Sequence, residues 1–359
     1  MARRKGECIS MAVITDATLQ AVAVQVDRRN AILQKFINEY SPTTWLGVQA
    51  DVRAGKARQK YAIGDELISS YTYNGTTYEC PWVVLDNNRE CEWSDGTKHA
   101  GLWLGMKYCT PEDVQFDAPE STTVDLTEEP NALDGWYYWG VTGTTYTKIN
   151  VATGEALPTT YDSVKKCGIN NIDVLKNGYN RWSHSGQRQW LNSNNTGIGE
   201  WWTAQHTGDI APTQLASMKG FKAGLPNDFL SVVTPVKVKT SCNTITDSGI
   251  TDTTVDTFFL QSLEEVYGVP QIPDIEGPYF PYWKVETGLD EPTNGSSSST
   301  NDARKIKRAS APTGSAANVR LRSAYRSHAY YAWIVSSSGY LNNHNASSAY
   351  AALPACVIS

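Results

Sequence analysis

Apolar residues at alternating three- and four-residue steps, Leu19, Val22, Val26, Leu33 and Phe36, predict one amphipathic helix over residues 16–40, with Arg29 in the slot that breaks the seam. Asp16 is placed to cap it and Ser41-Pro42 to stop it. At roughly two to three heptads it is short for an independent coiled coil. It either packs on the main domain or joins the chain to copies of itself or to a larger assembly. From Trp45 to Tyr108 the pattern turns to strands. Residues 71–78 read as a hairpin about Asn74-Gly75, because a tight type I′ turn needs positive φ at both central positions. Trp82-Val83-Val84-Leu85, apolar on both faces, reads as a buried strand. Residues 110–133, crowded with Pro, Thr, Asp and Glu, read as a loop of low regularity.

Gly135-Trp136-Tyr137-Tyr138-Trp139-Gly140 is an aromatic cluster, expected as loop-anchoring core with a sugar platform as the alternative. Residues 181–191 predict an N-capped helix with Ser183 or Ser185 as cap and Trp190-Leu191 facing inward. His184 has no carboxylate or cysteine near it in sequence and is read as structural. Residues 228–238 predict a buried element followed by an extended strand, Phe258-Phe259-Leu260 a short buried strand, and residues 263–267 a helical turn. Residues 276–300, rich in Pro, Gly and Ser, predict a mobile surface loop.

The last stretch is chemically distinct. From Ser323 onward there is no Asp, Glu, Lys, Gln or Met. Between the apolar brackets around Leu321 and at residues 353–358, the chain favours Tyr, Ser, Asn, His and Gly. Tyr supplies large contact area for two torsions, while Ser and Asn adapt their hydrogen bonds, so this composition is that of a recognition surface. Randomising the adenines of an Asn codon reaches Tyr, Ser, His, Arg, Gly, Ala, Val, Leu and Ile among others, but never Lys, Glu, Gln, Met or Trp. Trp333 alone breaks that restriction, which makes it scaffold or the product of another codon.

The chain resembles the variable proteins of diversity-generating retroelements, in particular the phage-encoded branch. The resemblance is carried, in order, by Trp45-Leu46-Gly47-Val48-Gln49, Val52-Arg53-Ala54-Gly55, Ile63-Gly64-Asp65, Tyr179-Asn180-Arg181-Trp182, Arg188-Gln189-Trp190-Leu191-Asn192, Phe258-Phe259-Leu260, Glu265-Val266-Tyr267-Gly268, Leu321-Arg322-Ser323 and Pro354-Ala355-Cys356. Ala324 and Ala351-Ala352 depart from the family, which usually has Pro after Leu-Arg-Ser and Gly-Val before the closing Pro-Ala. The resemblance implies the α+β class and, within it, the C-type lectin fold of the formylglycine-generating-enzyme type, with irregular insertions. Residues 1–44 would be an oligomerising or virion-attaching helix, and 45–359 the ligand-binding domain, with a variable region at 323–352. The expected variable face is Tyr325, Arg326, Ser327, His328, Tyr330, Tyr331, Tyr340, Asn342, Asn343, His344, Ser347 and Tyr350. Leu321, Val335, Leu341 and Pro354 are expected in the scaffold, and residues 355–358 as a strand pairing near the start of the domain. The implied function is host adhesion at a phage tail tip, through a protein or glycan receptor on the host surface. An enzyme of the formylglycine-generating type and an invariant structural tail protein are the alternatives.

Charge and chemistry narrow this reading. A formal net charge of −6, without a basic stripe, argues against nucleic acid as partner. No run approaches the roughly 20 apolar residues of a membrane span, and the basic start is not followed by an apolar secretion segment. The seven cysteines are widely spaced without Cys-x-x-Cys, which favours buried thiols. Nucleophile-elbow, zinc-helix and phosphate-loop motifs are missing, and only Cys356 lies in the last hundred residues, where the formylglycine-generating enzymes use a cysteine pair. The expectation is a non-enzyme without cofactor or metal. Glu129-Pro130-Asn131 copies a lectin tripeptide but lacks the further oxygens a calcium site of about six to eight ligands needs.

Overall fold

A computed structural model describes residues 44–119, 177–206, 209–284 and 314–359, with Arg29, Val174 and the strand segments 137–142, 145–150, 156–157 and 307–308. The chain divides into two compact units, Met1–Gly47 and Val48–Ser359. Of the helix expected over 16–40, only Arg29 is described, and it is helical and exposed. The remainder of that helix, and its oligomerising role, lie outside the described residues.

Where the pattern after Trp45 suggests strands, the chain forms helices α1 (Trp45–Arg53) and α2 (Ala57–Lys60). Val48 and Val52 are one turn apart and both buried, a helical spacing too short to stand out from the strand-like residues that follow. The expected hairpin is β1 (Glu66–Tyr73) with β2 (Thr76–Asp86), turning at Asn74 and Gly75 with φ of 48° and 78°. A ribbon of β3 (Glu90–Glu92) and β4 (Lys98–Ala100) leads to β5 (Leu102–Met106).

Next comes β6 (Asp113–Gln115), inside the stretch read as an irregular loop. Val114, Phe116 and Asp117 are fully buried, so most of residues 110–119 is core although Asp113 is exposed; the buried Glu112 accepts the Tyr71 hydroxyl at 2.5 Å. The strands β7 (Tyr137–Thr142), β8 (Thr145–Asn150) and β9 (Ala156–Leu157) form an antiparallel sheet containing part of the aromatic cluster, whose side chains lie outside the described residues.

A 3-10 turn at Trp182–His184 precedes α3 (Gly186–Asn192). Its cap is Ser185, which accepts the Arg188 N–H at 3.1 Å, while Ser183 donates to Asp252 instead. Trp182 and Trp190 are buried as expected, with their indole N–H groups on Asp256 and on the Lys219 carbonyl, both at 3.0 Å. The buried element and strand expected over 228–238 are α4 (Asn227–Leu230) and β10 (Val236–Ser241), which pairs with β11 (Thr251–Asp256). β12 (Phe259–Leu260) leads into α5 (Leu263–Tyr267), started by a Ser262–Glu265 capping box and ended at Gly268 with φ 68°.

The stretch 276–300 does not begin as a surface loop. Glu276, Phe280, Tyr282 and Trp283 are buried, because Glu276 is the acceptor for Ser241 and Ser323 and the aromatic rings close over the sheet. Residues 285–300 lie outside the described residues. The chain then forms β13 (Lys307–Arg308), β14 (Ala316–Ala317), β15 (Val319–Ala324), β16 (Tyr331–Val335), β17 (Leu341–Asn345), β18 (Ala349–Ala351) and β19 (Pro354–Ile358).

Two five-stranded sheets organise these elements, in the orders β1-β2-β5-β19-β12 and β17-β16-β15-β18-β6. The protein is therefore α+β, with several sheets and few, short helices. The last strand is interior to the first sheet, between β5 and β12, so the final residues stitch together segments distant in sequence. The terminal Ser359 carbonyl also accepts from Gln49 at 3.2 Å and from Arg53 at 3.3 Å, at the start of the second unit. A chain of rings fills the core, Trp82 to Phe258 at 5.8 Å, Phe258 to Phe221 at 5.3 Å and Phe221 to Trp190 at 5.4 Å. Cys80, Cys91, Cys109, Cys242 and Cys356 are free and buried; Cys8 and Cys167 lie outside the described residues.

Candidate ligand-binding face

The face is built on Arg320 and Arg322, which alternate with Leu321 into two different interiors. The Arg322 guanidinium donates to the carbonyls of Leu260 at 2.8 Å and Glu276 at 2.6 Å and is ion-paired with Glu265, which also pairs with Arg89 at 3.1 Å. Burial pushes the Glu265 carboxyl up, but the Arg322 and Arg89 cations outweigh it and hold the group below the usual range. Ser323 accepts the Leu263 N–H at 2.8 Å. The Leu-Arg-Ser segment thus bolts β15 to α5 before the stretch rich in Tyr, Ser and Asn begins.

The loop between β15 and β16 is held from beneath by Asn180. Its carboxamide donates to the His328 carbonyl at 2.7 Å and the Tyr331 carbonyl at 2.8 Å, and its N–H to Ala329 at 3.0 Å. Asn180 accepts in turn from Asn243 at 2.9 Å, which also donates to Asp247, and Asp247 takes the Tyr179 hydroxyl. Gly178 precedes this group at φ 77°, and a Cβ there would lie 2.5 Å from the Asp117 carbonyl, so glycine is required by the close approach. His184 packs edge-on against Tyr179 and stacks on His206 at 5.4 Å. Burial first, and the Arg181 cation second, pull its pKa to about 4, so it serves as a neutral packing ring.

On this support stand five rings. Tyr325 lies 4.9 Å from Trp333 and 5.2 Å from His328; His328 lies 5.5 Å from Tyr330 and 5.1 Å from Tyr331; Tyr330 and Tyr331 are 4.2 Å apart. Trp333, 9% exposed, is the floor of the cluster. The tyrosines and His328 are half-buried and Ser327 is exposed. Asn343 pairs with Trp333 across β16 and β17, which puts it on the same side of the sheet.

Strand alternation sends Asn342 and His344 to the opposite side, with Ile334 and Ala332 as partners. There His344 meets Tyr350 edge-on at 5.4 Å, and the Tyr350 ring lies 4.8 Å from the Arg320 guanidinium. The expected face is therefore two patches: Tyr325, His328, Tyr330, Tyr331 and Asn343 in one, and Asn342, His344 and Tyr350 in the other. Asn342 is exposed and the rest of the second patch half-buried.

Arg326, Tyr340 and Ser347 sit at the margins. The Arg326 guanidinium is spent on the carbonyls of Cys242 at 3.1 Å and Gly249 at 3.3 Å, which ties the loop down. Tyr340 closes the β16 to β17 turn through its N–H on the Ser336 hydroxyl at 3.1 Å. Ser347 donates its N–H to the Asn177 carbonyl at 2.7 Å and accepts Gln115 at 2.8 Å. Of the expected scaffold residues, Leu321, Val335 and Pro354 are buried, while Leu341, on the edge strand, is half-buried. Asn180, Asn243 and Arg320 are not legible in sequence as parts of this face; the Tyr-Asn-Arg-Trp segment marks Asn180 as part of a motif but not what it holds.

Among the described residues no group of three His, Cys, Asp or Glu is placed to hold a metal ion, and no helix is long and apolar enough to cross a membrane. The DUF6273 family, a domain of unknown function, matches residues 153–359, which include the whole C-terminal sheet except β6. The chain belongs to that family. No curated protein and no solved structure gives a significant match.

Proposed function

We propose that this protein is a non-catalytic, hypervariable receptor-binding protein: a phage tail-tip adhesin diversified by a retroelement, on the C-type lectin fold of the formylglycine-generating-enzyme type. The observation that carries the reading is the division of burial within the tail. Residues 319–324 and 351–359 are buried, while every side chain of the expected variable face between them reaches solvent. Substitutions in 325–350 can then alter contact chemistry while the bracketing strands keep the fold. The five-ring cluster offers the rigid, amphipathic surface that adaptable binding sites use.

The partner is a protein or glycan receptor on the host cell surface, and the site of action is the virion. Sequencing the surrounding locus tests the diversification: an imperfect repeat of the segment encoding 323–352, differing only at adenines, is expected beside a reverse transcriptase gene. Its absence would leave an invariant tail protein. Adsorption of the purified chain to host cells, with and without Tyr330→Ala, tests the binding.

A further inference from the structure

The C-terminal sheet buries a cation that no described carboxylate neutralises. Arg320 is 0% exposed, and its guanidinium donates to the carbonyls of Ala332 at 3.1 Å, His344 at 3.0 Å, Ser348 at 3.0 Å, and Asn345. Those dipoles satisfy N–H groups but carry no net charge. Arg322, by contrast, has Glu265 as counterion. Burial pulls Arg320 down to about 9, which still leaves it a cation at neutral pH. A charge placed in a low-dielectric interior without a counterion is costly, and its field reaches the nearby surface with little screening.

The surface it reaches is the second patch. Tyr350 covers the guanidinium with its ring, His344 stands against Tyr350, and Asn342 lies exposed on the same side of β17. In sequence the tail is basic as well: residues 303–359 contain seven Lys and Arg and no Asp or Glu, in a chain of net charge −6.

We infer that the patch of Asn342, His344 and Tyr350 takes an acidic sugar, a uronate unit of a surface polysaccharide. This rests on the receptor-binding reading of the face. The half-buried Tyr350 ring offers a flat surface to the C–H face of a pyranose, Asn342 and His344 reach its hydroxyls, and the Arg320 field favours its carboxylate. An acidic peptide is the poorer fit. Recognition of Asp or Glu side chains relies on an accessible guanidinium that can bond both oxygens, whereas Arg320 is sealed: its two terminal nitrogens are committed to carbonyls and its Nε–H, though unpaired, is buried.

Calorimetric titration of the full chain with polygalacturonate, with its methyl ester and with polyglutamate tests this. The acid form is expected to bind at least about tenfold tighter than the ester, a ratio worth about 1.4 kcal/mol. Arg320→Met, which replaces the cation by an apolar chain, should bring that preference close to one, and Tyr350→Ala, which removes the stacking ring, should weaken acid and ester alike by at least about tenfold. If Arg320→Met does not fold, the acid-to-ester ratio in the unaltered chain and the loss of affinity in Tyr350→Ala still decide. Equal affinity for acid and ester, tighter binding of polyglutamate, no binding of the acid form, or an affinity for the acid form unchanged by Tyr350→Ala overturns the inference. Adsorption to host cells separates it from the reading beneath it. A chain that adsorbs in a Tyr330-dependent way but ignores sugar charge keeps the receptor-binding role and loses only the uronate, whereas adsorption indifferent to both tail substitutions removes the role itself.

Discussion

Single residues in this protein divide between those that carry the fold and those that can be exchanged without touching it. Trp190 is fully buried, its ring against Phe221 and its N–H bonded, so Trp190→Ala is expected to cost about 3–5 kcal/mol in chemical denaturation. Tyr330 is half-buried over other side-chain rings, and Tyr330→Ala should change stability by no more than about 1 kcal/mol while weakening adsorption by roughly 1–3 kcal/mol. A silent Trp190 beside an unfolding Tyr330 would invert the assignment of core and face.

Glu112 makes a separate prediction about pH. Its carboxyl is pushed up to about 7 by burial, against the lowering effect of the Tyr71 hydroxyl. The folded state therefore holds a proton that the unfolded chain releases near the ordinary glutamate value of 4.5. Stability from this group falls as pH rises from about 4.5 to 7 and levels off above, by on the order of 3 kcal/mol. Glu112→Gln keeps an acceptor for Tyr71 without the titration. The difference in unfolding free energy between the two proteins, measured from pH 4.5 to 8, should grow in favour of the variant; a flat difference would show that the carboxyl is ionised throughout.

Elements depend on a few polar ties rather than on their own propensity. The β15 to β16 loop presents most of the ring cluster yet is shaped by Asn180, which bonds the His328 and Ala329 carbonyls and adds a second donor to the Tyr331 carbonyl already held by the Tyr325 N–H. Asn180→Ala is expected to cost about 1–3 kcal/mol. It should also speed amide exchange at residues 325–331 while leaving β19 protected. Protection unchanged in the loop would mean that Arg326 and the ring contacts suffice to hold it. Helix α5 shows the same economy: its five residues stand because Ser262 and Glu265 cap each other and Glu265 also faces Arg322.

At the scale of the whole molecule, the C-terminus is a structural keystone. β19 lies between β5 and β12, and Ser359 is held by Gln49 and Arg53. Removing residues 354–359 takes an interior strand from a sheet and exposes both of its neighbours, so the truncated chain is expected to lose cooperative unfolding and become protease-sensitive throughout, not only in the tail. A truncated chain that melts like the parent would show that the two sheets fold independently of β19. The proposed variable face lies between anchors, upstream of the closing strand.

The sequence by itself determined the first hairpin, the buried Trp182 and Trp190 and the chemical distinctness of the tail, since each rests on local signals: a turn dipeptide, apolar runs, or composition; the α+β class came from the resemblance. Boundaries marked by polarity were less legible. Residues 110–119 look like a loop because Pro, Thr, Asp and Glu crowd there, and 276–284 because they open a stretch rich in Pro, Gly and Ser, yet Glu112 and Glu276 are buried once Tyr71, Ser241 and Ser323 supply partners from distant segments. The candidate face followed the same rule. Composition could nominate Tyr325 to Tyr350, but only strand register decides that Asn343 and His344 lie on opposite sides, because side-chain direction alternates along β17. Arg320 and Arg322 are one motif in sequence, and only the tertiary structure gives one a counterion and leaves the other a buried cation beneath Tyr350.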